Sequence, residues 1–235
     1  MFDTNPNLIQ EYHPPENASP WTRKPTPLVL IHDGGGTIFS YYCLSDLGRP
    51  LYGISNPRFQ TGNTWEGGIP QMTREYIKFI KKAVPKGDII IGGWSLGGLI
   101  SLEVARQLAE EENMGLNGLN LLGIVMVDSV CPLVTAESTV PVVQHAMQWG
   151  EHTKQDTKEK VMRCFVDATR MVREWTLPIW GDEETQEGLI TKVLEIPGHH
   201  FNIFHTEEAL EIATAGIKKA CLEIEALQLN HEDIA

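Results

Sequence analysis

The amino-acid sequence predicts an α/β fold: a mostly parallel sheet with helices on both faces and a helical insertion late in the chain. Three observations lead there. The runs LVLIH (Leu28–His32), PLYGIS (Pro50–Ser55), DIIIGG (Asp88–Gly93) and LNLLGIVMVD (Leu119–Asp128) are short and nearly continuously apolar, as strands buried on both faces are. Prolines, glycines and polar residues bound them. Longer stretches with apolar residues at helical spacing separate them, and alternating strand and helix is the order that builds a parallel sheet. After Asp128 the rhythm stops, and residues 132–173 contain no convincing strand.

Taken in order, residues 1–27 are rich in Pro, Asn and Glu, with one short candidate strand at Asn7–Tyr12. The loop DGGGTIFS follows LVLIH and leads into a short helical stretch at Tyr41–Leu47. A helix is predicted over Ile69–Val84, where Met72, Tyr76, Phe79 and Ile80 fall at helical spacing. Leu96–Glu112 is the next helix, and Asn113–Gly118 turns the chain into the fourth strand. Two helices fit the insertion, Thr139–Gly150 and Lys154–Arg173; in the second, Met162, Phe165, Val166 and Val172 share a face. TLPIWG (Thr176–Gly181) and TKVLEI (Thr191–Ile196) read as strands and Glu207–Leu229 as the closing helix. The expectation is a single domain, 1–235, with residues 132–173 inserted as a lid.

At 235 residues, 42% hydrophobic and 21% charged, the chain is long enough for one substantial core. No apolar run approaches the length that crosses a bilayer, and MFDTNPNLIQ lacks the basic-then-apolar pattern of a secretory signal. The four cysteines, Cys43, Cys131, Cys164 and Cys221, show no CxxC spacing; reduced thiols and a cytoplasmic location are expected. No metal site is expected. The net charge of −12 argues against a nucleic-acid partner and requires any acidic partner to dock on a local basic patch. The candidates are Lys81 and Lys82 with Lys86, or Arg23 with Lys24.

GGWSLGG, Gly92–Gly98, carries the chemistry. It contains G-x-S-x-G, Gly93 to Gly97, between a buried strand and a helix, where a nucleophile elbow belongs. Such a turn strains the serine backbone and lifts its hydroxyl above the sheet. Gly93 and Gly97 relieve the crowding around it, and Gly98 lets the helix pack closely. A phosphate loop would need a Lys beside the Ser/Thr, or GxGxxG with a ribose-binding acid; neither is present.

An elbow with Ser95 as nucleophile requires an acid and then a histidine further along the chain. IPGHHF (Ile196–Phe201) offers His199 and His200; His205 should lie in the following helical segment. Asp128 ends the strand after the nucleophile helix, and Asp182 follows the next strand in IWGDEE. Either acid could orient an imidazole. Asp128 is favoured, because ligand crevices lie at the carboxyl ends of parallel strands. The oxyanion hole needs two backbone N–H donors. One is that of Leu96, and the other should come from HDGGGT (His32–Thr37), whose glycines allow close approach. His32 comes too early in the chain for the base, and Asp33 reads as structural.

With LVLIHDGGGT, RPLYGISNPRF, IIIGGWSLGGLISLEVARQL, LLGIVMVDSVCP and GHHF in this order, the chain resembles the α/β-hydrolase thioesterase domains. Within that family it is most similar to the releasing thioesterase and Claisen-cyclase domains of fungal polyketide and non-ribosomal peptide synthases. The resemblance covers most of the chain outside the lid. It implies a Ser95–Asp128–His200 triad, since the family's G-x-H-F places His200 as the base, and an oxyanion hole from Leu96 and Gly34. It implies no cofactor of the chain's own: the acyl chain would ride on the phosphopantetheine arm of an acyl carrier protein served in trans. An acyl-serine would then be released by water, by a hydroxyl or by a carbanion. Met147, Trp149, Met162, Phe165 and Trp175 are the lid residues expected to bind substrate. Two other readings fit the same residues: a carboxylesterase for small oxygen esters, and a non-catalytic α/β-hydrolase-like ligand binder.

Overall fold

The computed structural model describes residues 5–17, 19, 23–115, 118–129, 149, 151–175, 191–197, 199–200 and 202–232. Its elements are β1 (Asn7–Gln10), β2 (Leu28–Ile31), α1 (Phe39–Tyr42), β3 (Leu51–Ile54), α2 (Gly68–Ala83), β4 (Gly87–Trp94), α3 (Leu96–Asn113), β5 (Leu119–Val127), α4 (Gln155–Glu174) and α5 (Glu207–Glu232). The sheet runs β1-β3-β2-β4-β5. β3, β2, β4 and β5 are parallel, and β1 closes the edge antiparallel to β3.

Successive side chains of a strand point to opposite faces, and here both faces are covered. Val29, Ile31, Ile89 and Ile91 pack with Ile69, Met72, Tyr76 and Ile80 of α2 and Leu96, Ile100, Val104 and Leu108 of α3. Leu28, Leu30, Leu51 and Ile90 pack on the other side with Tyr41, Leu44, Leu47, Ile203 and Phe204, and with Ala213, Ile217 and Cys221 of α5. That double coverage is why the strands read as continuous apolar runs.

Three expectations change. The helical stretch read at Tyr41–Leu47 is only the four-residue α1; Leu44 and Leu47 are nonetheless buried, in the turn that follows. Thr191–Ile196 makes no strand ladder among the described residues. Val193 is 75% exposed, and Lys192 pairs with Glu223 of α5 at 2.7 Å, so this segment runs beside a helix. The apolar stripe of α4 is also rotated from the expected one. Cys164, Ala168 and Met171 are buried, whereas Met162 and Val166 face outwards. The strand read at Thr176–Gly181, the helix read at Thr139–Gly150, and with them Met147 and Asp182, lie outside the described residues. Among the described residues no helix is long and apolar enough to cross a membrane.

Candidate active site

The sharpest backbone feature lies between β4 and α3. Ser95 has φ 56° and ψ −117°, a conformation that L-residues adopt only when their surroundings enforce it. Its N–H donates to Val127 O at 3.0 Å, and Gly98 N–H donates to Ser95 O at 3.3 Å. The flanking glycines are sterically required. A Cβ on Gly93 would stand 2.6 Å from Ile31 O and 2.7 Å from Gly97 Cα. One on Gly97 would strike the carbonyl of Ile31, and one on Gly98 the hydroxyl of Ser129. Among the described non-glycine residues, one other has positive φ: Asp128, at 43°, immediately beyond β5. Both strained residues therefore sit at the carboxyl edge, on adjacent strands.

His200 is brought to that edge from beyond the last loop. Its Nδ1 lies 2.7 Å from Asp128 Oδ2, and its ring centroid lies 5.3 Å from that of Trp94, the residue before Ser95. Trp94 also meets Phe204 edge-on at 5.2 Å, so the segment carrying His200 is fixed against the elbow by aromatic packing. Of the two histidines the sequence offered, His200 pairs with Asp128. His199 turns its backbone N–H to Asn202 Oδ1 at 2.7 Å, and its side chain is exposed. His205 lies in the turn before α5.

Across the edge, the loop after β2 is a tight turn. Gly36 N–H donates to Asp33 O at 3.1 Å, Gly35 N–H donates to Asp33 Oδ1 at 3.0 Å, and Gly36 takes φ 79°. Asp33 thus folds the backbone around its own carboxylate, and burial pushes its pKa up to about 6. His32 is buried beneath it. Its Nδ1 lies 2.5 Å from Asp33 O and its Nε2 2.5 Å from the Tyr76 hydroxyl. A carbonyl can only accept, so Nδ1 carries the proton and Nε2 accepts from Tyr76. Burial lowers this imidazole's pKa to about 4. Tyr41 ties the loop to the elbow: its hydroxyl donates to Ile31 O at 2.6 Å and accepts from Trp94 N–H at 2.9 Å. Nothing in the sequence singled Tyr41 out beyond its place at the start of a short helix.

The expected lid residues are placed differently from one another. Phe165 of α4 lies directly on the glycine loop: its ring is 2.7 Å from where a Gly34 Cβ would be, and 3.1 Å from that of Gly35. Met162 is 48% exposed, Trp149 faces the Lys158 ammonium 5.8 Å away, and Trp175 packs against the core beside α2 and α3. The basic residues suggested for docking lie at the far end of the sheet. Lys81 pairs with Glu111 at 2.6 Å and Arg23 with Asp88 at 2.7 Å. Lys86 directly precedes β4, so the eight-residue strand, roughly 26 Å at 3.3 Å per residue, separates it from Ser95. Among the described residues no group of three or more His, Cys, Asp or Glu side chains could hold a metal ion.

Residues 26–178 match the family described as thioesterase domain. The chain is 43% identical over 186 residues to a probable thioesterase, gloN, of Glarea lozoyensis, a match covering 79% of this chain and 63% of that one. It is 42% identical over 132 residues to the nonribosomal peptide synthetase imqB of Aspergillus flavus, covering 56% of this chain and 4% of the synthetase. Among solved structures, the NocB thioesterase domain in covalent complex with a fluorophosphonate nocardicin G analogue superposes with a TM-score of 0.63. That match has 20% identity and covers 83% of this chain and 94% of that domain; it bears on the α/β-hydrolase fold alone.

Proposed function

The chain belongs to the thioesterase-domain family, and from that premise we propose that it is a serine acyltransferase taking a polyketide-type acyl chain from a carrier protein in trans. The observation that carries the reading is the 2.7 Å contact between His200 Nδ1 and Asp128 Oδ2, made beside the strained Ser95. A carboxylate accepting from Nδ1–H fixes the imidazole tautomer and stabilises the imidazolium. Nε2 is then the atom that exchanges protons with Ser95.

The steps follow from these roles. Nε2 of His200 takes the Ser95 proton as Oγ adds to the thioester carbonyl. N–H groups of Leu96 and Gly34 hold the oxyanion; Leu96 opens α3, where first-turn donors have no intrahelical acceptor. The intermediate collapses with cleavage of the C–S bond, and the leaving thiolate takes the proton from His200. Acyl-Ser95 is resolved by water, a hydroxyl or a substrate carbanion, each activated in turn by His200. Residues 132–173 serve as the lid, with Phe165 against the glycine loop at the acyl end of the site. How far the lid excludes water decides whether hydrolysis competes with ester or carbon–carbon bond formation. Similarity to part of a nonribosomal peptide synthetase supports a carrier-bound substrate.

Intact-protein mass after mixing with a short β-ketoacyl pantetheine thioester tests this reading. An acyl adduct should form on the unsubstituted protein and not on Ser95→Ala. Ser95→Ala should keep its melting temperature and lose at least roughly a thousandfold in rate. Near-normal turnover by that variant would refute the nucleophile.

A further inference from the structure

The chain's net charge is −12, yet one cleft of about 200 Å³ is lined by three arginines, Arg58, Arg163 and Arg170, with Asn56, Cys164 and Val166. It lies between the loop after β3 and the outer flank of α4. Arg170 is neutralised there, by Asp167 at 2.7 Å and by Glu174. Asp167 in turn accepts from Trp65 N–H at 3.2 Å. Arg58 and Arg163 have no carboxylate partner among the described residues. Arg58 lies flat on the Trp65 ring, 3.8 Å from its centroid, and donates to Thr64 O. Arg163 donates to Phe59 O at 3.0 Å and lies over Gly62, where any Cβ would collide with its guanidinium. Two guanidinium groups without a carboxylate partner, braced by stacking and by one backbone acceptor each, line this one cleft. Each guanidinium has five donors in a fixed fork.

The cleft is continuous with the glycine loop. Its inner wall, Asn56 and Cys164, abuts Gly36: a Cβ there would stand 3.2 Å from Asn56 Cβ and 2.9 Å from Cys164 Sγ. Asn56 N–H also donates to Gly36 O at 3.0 Å. The next residue of α4, Phe165, covers Gly34 and Gly35. One helix therefore presents an apolar ring to the acyl end of the site and a guanidinium to its outer rim. We propose that Arg58 and Arg163 bind the phosphate of the carrier's phosphopantetheine arm, holding the arm along α4 with its thioester towards Ser95. This rests on the acyltransferase reading above. It also answers the charge problem: an acidic protein takes an acidic partner through one local cationic site, at the carboxyl edge and not at Lys81, Lys82 and Lys86.

Binding to the Ser95→Ala protein, which needs no turnover, provides the test. Calorimetric titration with 4′-phosphopantetheine and with pantetheine should show the phosphorylated compound bound at least about tenfold more tightly, as charge-assisted hydrogen bonds allow. The preference should weaken with added salt. Arg163→Gln should remove it and Arg163→Lys should retain part of it. Val166→Glu provides a second route: Val166 is 68% exposed and lines the cleft, so the change adds a negative charge without deleting any bond that braces the loop, and it too should remove the preference. Equal binding of the two compounds overturns the proposal, as does a preference that survives both Arg163→Gln and Val166→Glu. A lower melting temperature for Arg163→Gln with the preference intact would make Arg163 a loop brace only. Failure of the acyltransferase reading would look different: no acyl-serine on the unsubstituted protein, with the phosphate preference untouched.

Discussion

At the end of β4, Gly93 and Gly97 face backbone: the carbonyl of Ile31 for both, with the main chain of Gly97 for Gly93 and the carbonyl of His32 for Gly97. At the end of β2, Gly34, Gly35 and Gly36 face side chains of α4: Phe165, Val161 and Cys164. Both turns are glycine-rich, both lie at the carboxyl edge, and both flank the candidate site, yet they are constrained by different things. The elbow is closed by the sheet itself, whose atoms cannot retreat without breaking ladder hydrogen bonds. The β2 loop is closed by α4, whose side chains can turn. The first is therefore a property of the sheet, and the second a coupling between the β2 loop and α4.

The largest effect should come from filling the elbow. Gly97→Ala would drive a methyl into Ile31 O, and no rotamer relieves a clash with backbone. The expected cost is at or beyond the upper end of the roughly 1–3 kcal/mol typical of overpacking, with folded protein and turnover lost together. Urea unfolding would read it; a variant as stable as the unsubstituted protein would break the claim that the sheet closes this turn. Next, Asp128→Asn should leave folding intact and reduce turnover by roughly ten-thousandfold, the scale seen when a triad acid can no longer hold the imidazole tautomer. Asp182→Asn is the control, and a larger loss from it would reassign the acid.

The β2 loop should respond differently. Gly34→Ala forces the Phe165 ring to move, and Phe165→Ala should give back much of what Gly34→Ala removes. A double-mutant cycle on stability should show coupling of about 1–2 kcal/mol, within the range for residues in contact. Additive effects would mean that the loop, like the elbow, is closed from within. Gly93 offers no such rescue, because it faces no side chain that could be shortened.

The same contrast explains what the sequence disclosed. β2, β3, β4 and β5 could be read because double burial writes itself as apolar runs. The elbow could be read because its steric demands are local: Gly93, Ser95 and Gly97 are neighbours in the chain. His200 needed the family's G-x-H-F, since nothing local separates it from His199; the structure separates them through Asp128, 72 positions away. The Phe165–Gly34 contact and the Arg58–Arg163 cleft join a loop to a helix more than a hundred residues later, and no periodicity encodes such a meeting. The lysines illustrate the opposite limit. Charge clustering is visible in sequence, but which end of the sheet a cluster occupies is not. Met162 and Val166 failed by helical phase: the true stripe runs through Cys164, Ala168 and Met171.

The smallest effect lies beneath the β2 loop, where its anchors titrate and the elbow's do not. Tyr41, which ties the elbow, has its pKa pushed far above the physiological range by burial. His32 and Asp33 shift in opposite senses: burial lowers His32 to about 4 and raises Asp33 to about 6. Between those values the unfolded chain binds a proton on the histidine that the folded chain does not, so this residue makes stability rise with pH. In the same window the folded chain keeps a proton on Asp33 that the unfolded chain has released, so this residue makes stability fall. The two slopes are each about 1.4 kcal/mol per pH unit at most and nearly cancel, leaving the pair without net effect from about pH 4 to 6. Asp33→Asn keeps an acceptor for Gly35 N–H and removes one slope. The variant's stability, measured by urea unfolding, should then climb with pH through this window relative to the unsubstituted protein, and level off near pH 6.5 as the unfolded histidine loses its proton. His32→Gln should show the reverse: stability falling relative to the unsubstituted protein as pH rises towards 6. If both variants parallel the unsubstituted protein, the two groups are not titrating against each other, and the β2 loop is held as independently of pH as the elbow.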